Sequence, residues 1–168
     1  MQSTLASGQF LNAFIRHADM VKMANYKLLT FILGRDMETG NTCRTPFFYM
    51  FRMYANDCLG QSVDAFVSCD TFNVDEFYRG ISYLDVSAVC TEDKQHLIIN
   101  VVNRHREDAI EAEIVCQTGT FSGKAVVKEI FHDDPALPYS CDRRNEYEPV
   151  LEEIPTGRSE LTRTFPPH

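Results

Sequence analysis

The chain has 168 residues, enough for one ordinary domain or one domain with part of another. Its composition, 44% hydrophobic and 24% charged, is that of a folded globular protein whose core must draw on 12 Phe and 7 Tyr, because Trp is absent. A formal charge of −8 excludes a general binder of nucleic acid or anionic membranes, since neutralising phosphates takes an excess of Lys and Arg.

No apolar run approaches the ~20 residues of a membrane helix, and the opening MQSTLASGQF lacks the basic start and apolar core of a signal peptide. Residues 4–19 carry Leu5, Leu11, Phe14, Ile15 and Ala18 at helical spacing, which predicts a helix with one apolar stripe. VKMANY at 21–26 reads as a short strand, and the stretch LLTFILGRDMETGNTCR, punctuated by Gly34 and Gly40, as a surface loop. TPFFYMFRMYANDCLG predicts a second helix: Thr45 can cap it, Pro46 suits its first position, and Gly60 can close its end. Phe47, Met50, Phe51 and Tyr54 recur at i, i+3, i+4 and i+7. Both helices therefore call for a partner surface such as a barrel or a doubly wound sheet. Without one, the first 60 residues are expected to be loosely held or docked on another copy, a homo-oligomer.

After Gly60 the period changes from 3.6 to 2. SVDAFVSC (62–69), YLDVSAVC (83–90), HLIINVVN (96–103), AIEAEIVC (109–116) and KAVVKEIF (124–131) all predict strands. HLIINVVN is apolar on both faces, which suits a central strand. In AIEAEI, Ile110, Ala112 and Ile114 face one way while Glu111 and Glu113 face the other. Turn-rich segments and no helices between these runs point to an antiparallel sandwich. The tail from 132 onward is polar and proline-marked, and only ELTRTF (160–165) alternates well enough to be a last strand.

The residues by themselves offer no active site. Glu111 and Glu113 are close along a strand, but on a wet face where nothing would keep one protonated, as retaining glycoside hydrolysis requires. His132 beside Asp133 and Asp134 lacks the convergent ligands of a metal site and reads as a turn. His17 suits a helix C-terminus and His105 a turn. No nucleophile elbow or phosphate-binding glycine loop is present, and neither metal nor cofactor is expected. The six cysteines, Cys43, Cys58, Cys69, Cys90, Cys116 and Cys141, contain no C-x-x-C pair. They read as free thiols in packed positions, which favours a reducing, cytoplasmic setting.

Five stretches, FLNAFIRHADMVKMANY, TPFFYMFRMY, YLDVSAV, INVVNRHREDAIEAEI and FPPH, together resemble the C-terminal end of glycoside hydrolase family 51, the α-L-arabinofuranosidases. The resemblance implies an α+β chain. Residues 1–60 would be a remnant of the last units of a (β/α)8 barrel, including its eighth strand. Residues 61–168 would be an antiparallel, jelly-roll-like β-sandwich lacking its final strand. It implies that the family's two catalytic glutamates, on barrel strands four and seven, precede this sequence, so that the isolated chain carries no catalytic residue. The partners implied are arabinofuranosyl-containing glycans, met through a longer enzyme. Where many members continue with Ala-Gln-Leu-Val-Asn, this chain has Lys27-Leu28-Leu29-Thr30-Phe31, and the glutamine's role is not carried over. Asn25 and Tyr26, at the end of the expected eighth strand, are the candidates for lining the arabinose pocket. The alternative is a non-catalytic carbohydrate-binding module that presents Tyr78, Tyr83, Tyr139 and Tyr147 to a sugar.

Overall fold

The computed structural model describes residues 1–26, 32–156 and 159–168. Helix α1 (Gln2–Arg16) turns Thr4, Gly8, Leu11 and Asn12 inward, a face smaller and more polar than the apolar stripe of the sequence. Leu11 is buried, whereas Phe14 remains 36% exposed. The rotation has a steric reason: a Cβ on Gly8 would stand 3.2 Å from Val102 Cγ2, so this glycine lets the helix settle close upon a strand. Helix α2 (Pro46–Asp57) begins as its punctuation predicts, with Pro46 in the first turn and the Thr45 side chain accepting from the Phe48 N–H. Leu11, Phe47 and Met50 form the central apolar cluster, with Phe51, Tyr54 and Ile130 packed against it. The two helices thus bury part of their stripes on each other and on their own sheet, and to that extent need no outside partner.

Past α2, Gly60 adopts a φ of +154°, and a Cβ there would lie 2.1 Å from the Cys90 carbonyl oxygen. Only glycine fits, and it leads the chain into β3 (Gln61–Val63). That strand pairs with β6 (Leu84–Cys90), which pairs in turn with β7 (Leu97–Asn103), with Val86 opposite Val101. β6, not β7, is therefore the central strand of this sheet. The double-sided apolarity of β7 has another cause. Val102 meets α1, while Leu97, Ile99 and Val101 line an interior cavity of about 290 Å³.

Two antiparallel ribbons stand across that cavity: β8 (Ile110–Val115) with β11 (Glu160–Phe165), and β9 (Lys124–Glu129) with β10 (Val150–Pro155). Arg163 of β11 links them by pairing with Glu129 and Glu152. Small hairpins complete the chain, β1 (Leu33–Arg35) with β2 (Thr42–Arg44), and β4 (Thr71–Phe72) with β5 (Ile81–Ser82). The first replaces an expected loop: Asp36 accepts from the Glu38 N–H, and Gly40 supplies a left-handed residue at its tip. The expected strand over 62–69 stops at Val63.

The architecture is mostly antiparallel β with two helices. Residues 21–26 adopt no regular structure, so the eighth barrel strand expected there is not formed. A strand needs a neighbour to satisfy its N–H and C=O groups, and among the described residues none flanks this segment. The reading of six free thiols is also corrected. Cys43 on β2 and Cys141, in a 3₁₀ turn at Cys141–Arg143, form a disulfide across 98 residues, while Cys58, Cys69, Cys90 and Cys116 are free. Their Cα atoms are 5.6 Å apart, a normal bridging distance. With one pair bridged, the cysteines no longer point to a reducing compartment.

Candidate functional site

The densest group of polar side chains lies in the seam between α1 and the β6–β7 sheet. Asn12 is fully buried and donates to the Asp85 backbone oxygen and to Asp85 Oδ2, both at 3.1 Å. Its own Oδ1 accepts from Tyr54 Oη and from Ser87 Oγ, each at 2.7 Å. Asp85, itself buried, is held by Arg104 at 2.6 Å and by Arg16 at 3.0 Å, and Arg16 also donates to the Val86 oxygen. Asn100 continues the chain of bonds from Ser87 to Cys58. Burial, reinforced by the Cys58 and Asp85 charges, pushes the Tyr54 phenol far above the usual tyrosine range, and burial likewise raises the Cys58 thiol. A neutral phenol, an inert thiol and a carboxylate shared by two arginines are poor tools for proton transfer or nucleophilic attack. The seam locks a helix to a sheet.

Asn103, at the end of β7, does similar work nearby. Its amide donates to the backbone oxygens of Asp108, Phe165 and Pro166, fastening the FPPH end to the turn after β7. Asn12, Arg16, Asp85, Asn103 and Arg104 all fall within the five quoted stretches. Sequence reasoning passed over them because their phase along each element matches the apolar neighbours.

Asn25 and Tyr26 sit in the irregular segment after α1. Asn25 is exposed, and Tyr26, 38% exposed, rests its ring 5.3 Å from Phe47 and 5.4 Å from Phe51. Phe10, Phe14, Met20 and Met23 are exposed along the same N-terminal stretch, interleaved with exposed Arg16, His17, Asp19 and Lys22. The expected continuation over residues 27–31 lies outside the described residues.

Glu111 and Glu113 stand exposed on β8 as their alternation predicts. Near His132, the ring Nδ1 accepts from the Asp134 N–H and Nε2 lies 3.7 Å from Glu146, a turn arrangement. Among the described residues no group of three His, Cys, Asp or Glu side chains converges to hold a metal ion. His17 caps the C-terminal end of α1, and the His105 ring accepts from the Asp108 N–H in its turn. Of the four tyrosines weighed as a sugar platform, Tyr83 stacks on Phe72 and His105, Tyr139 packs toward Tyr147, and Tyr147 is buried. Tyr78 alone of these four is exposed. The interior cavity is lined largely by apolar side chains, and among its described wall residues Glu129, ion-paired to Arg163, is the single acid.

Residues 1–168, the whole chain, match the family model of the alpha-L-arabinofuranosidase C-terminal domain. Over 150 residues the chain is 23% identical to an intracellular exo-alpha-(1->5)-L-arabinofuranosidase of Halalkalibacterium halodurans, a match covering 88% of this chain and 29% of that protein. It superposes on the Thermotoga maritima alpha-L-arabinofuranosidase, solved as an arabinose complex, with a TM-score of 0.78 and 25% identity, covering 97% of this chain and 36% of that one. On the thermostable family 51 alpha-L-arabinofuranosidase of Thermotoga petrophila the TM-score is 0.81 at 24% identity, covering 95% of this chain and 36% of the other. The chain thus spans 29% to 36% of the length of these relatives.

Proposed function

The chain belongs to the α-L-arabinofuranosidase C-terminal domain family, and from that premise we propose that it is the structural C-terminal part of a retaining α-L-arabinofuranosidase. The enzyme would release terminal arabinofuranose from arabinan- or arabinoxylan-type glycans. In this reading residues 1–60 close one wall of the catalytic barrel and residues 61–168 form the sandwich that props it. Asn25 and Tyr26 lie at the rim of the arabinose pocket, and the catalytic carboxylates belong to sequence other than this. The family match over the whole chain carries the proposal. The exposed large side chains Phe10, Phe14, Met20 and Met23 support it, since apolar groups of that size suit a protein neighbour better than water.

Retention of configuration needs two carboxyl groups ~5 Å apart. The interior cavity has one on its described wall, already paired with Arg163. The purified chain is therefore expected to release no nitrophenol from 4-nitrophenyl α-L-arabinofuranoside above the rate of buffer alone. Saturable turnover by this chain would refute the division of labour proposed.

A further inference from the structure

Outside the seam and the interior cavity, a second cleft of about 400 Å³ opens between α2 and the strands β9 and β10. That volume lies within the ~300–1,000 Å³ of small-molecule sites. Helix α2 supplies one wall at helical spacing: Tyr49, Arg52, Met53 and Asn56 stand at i, i+3, i+4 and i+7 and so share a face. Arg44 enters from the end of β2, its guanidinium 5.1 Å from the centre of the Phe48 ring. Met53, Pro149 and Leu151 provide apolar surface.

The charges in this cleft are unevenly matched. Lys128 is taken by Asp57, at 2.6 and 2.7 Å from its two oxygens. Glu148 accepts from the Tyr49 hydroxyl at 3.0 Å. Arg44 and Arg52 form no ion pair among the described residues. Two guanidinium groups without a carboxylate partner, Arg52 and an Arg44 that shares a hydrogen bond with the Tyr49 side chain, thus line a cleft on a chain whose formal charge is −8. A guanidinium is a planar fork of five N–H donors matched to carboxylates, so Arg44 keeps donors to spare beyond the Tyr49 side chain.

We propose that this cleft binds a small organic carboxylate. Arg44 and Arg52 grip its carboxylate, Asn56 meets a neighbouring hydroxyl, and its less polar body rests on Met53, Pro149 and Leu151. Acidic sugars and free dicarboxylic acids share that chemistry. The inference is independent of the arabinofuranosidase reading, since it requires no catalysis and no barrel.

Calorimetric titration of the full chain at low ionic strength, with digalacturonate, succinate and a neutral digalactoside, tests it. Binding of either carboxylate at millimolar concentration is expected. Arg52→Gln, a change on an exposed helical position that preserves helix propensity, should weaken that binding by about tenfold, the scale of one charge-assisted hydrogen bond. Arg44→Gln should do the same, with circular dichroism confirming the fold. Tighter binding of digalacturonate than of succinate assigns the site to acidic saccharides, and equal or tighter binding of succinate assigns it to small acids. Absence of binding by both carboxylates, an affinity unmoved by Arg52→Gln, or equal affinity for the neutral digalactoside would overturn it.

Discussion

Two regions of this molecule are fixed in place by opposite means. Helix α1 is joined to β6 and β7 by a largely buried network of side chains, Asn12, Tyr54, Asp85 and Ser87 on regular elements and Arg104 just past β7. The segment between β9 and β10 has little regular structure of its own. It is held by the Cys43–Cys141 disulfide, by the buried Tyr147 ring against His132 and Tyr139, and by the bond from Tyr49 to Glu148. The difference teaches where each device suffices. A helix and a sheet satisfy their own backbones, so a few side-chain bonds can set their register. An irregular segment has no ladder to align it, and a covalent link then limits how far it can stray.

Breaking the covalent link should have the largest effect. In the chain-entropy picture a loop of this length contributes up to about 4.7 kcal/mol, so reduction, or Cys141→Ser, should lower the urea midpoint strongly and open residues 132–148 to proteolysis first. If the midpoint does not move, the segment supports itself without the disulfide and the two regions are not held by opposite means.

Asp85→Ala strikes the other region. It strands Arg16 and Arg104 and removes an acceptor from Asn12, and loss of one partner from a buried pair costs about 3 kcal/mol. Equilibrium unfolding should show that loss while proteolysis between β9 and β10 keeps its rate. Faster cleavage there would mean the two regions are coupled.

The smallest effect separates the regions by pH. Tyr54→Phe removes one of two donors to Asn12 Oδ1 and should cost about 1 kcal/mol near neutral pH. The folded state raises the Tyr54 pKa above its unfolded value, so it binds the proton more tightly than the unfolded chain does. The associated stability is complete below the unfolded value of about 10 and is lost as pH rises past it. Tyr49, Tyr139 and Tyr147 shift in the same direction and share the alkaline loss. In the Phe variant the urea midpoint should therefore fall less steeply between about pH 9 and 11. An unchanged slope would assign the whole alkaline loss to the irregular segment and its neighbours.

Much of the fold was legible where a residue pattern reports its own backbone. Thr45 and Pro46 announced α2, and the alternation in AIEAEI and ELTRTF announced the strands β8 and β11, though not that they pair. β10 was missed because VLEEIP places two acids together and ends in proline, although an edge position tolerates both. The β1–β2 hairpin reads as a loop along the sequence because its strands are three residues each and its turn is rich in glycine and polar residues. At VKMANY the error ran the other way, since a strand-like run without a neighbour stays irregular.

Of the candidate site, residue types and helical spacing were visible but their convergence was not. Arg52 and Asn56 share a face of α2 by spacing alone, yet Lys128 and Leu151 reach the same cleft from distant parts of the chain. Composition, period and capping residues marked α1, α2 and most of the longer strands, because those depend on neighbours a few residues away. The disulfide, the burial of Asn12 and Asp85 and the meeting of Arg52 with Leu151 around one cleft were decided in three dimensions. Each depends on a partner many residues distant, which local spacing along the chain does not encode.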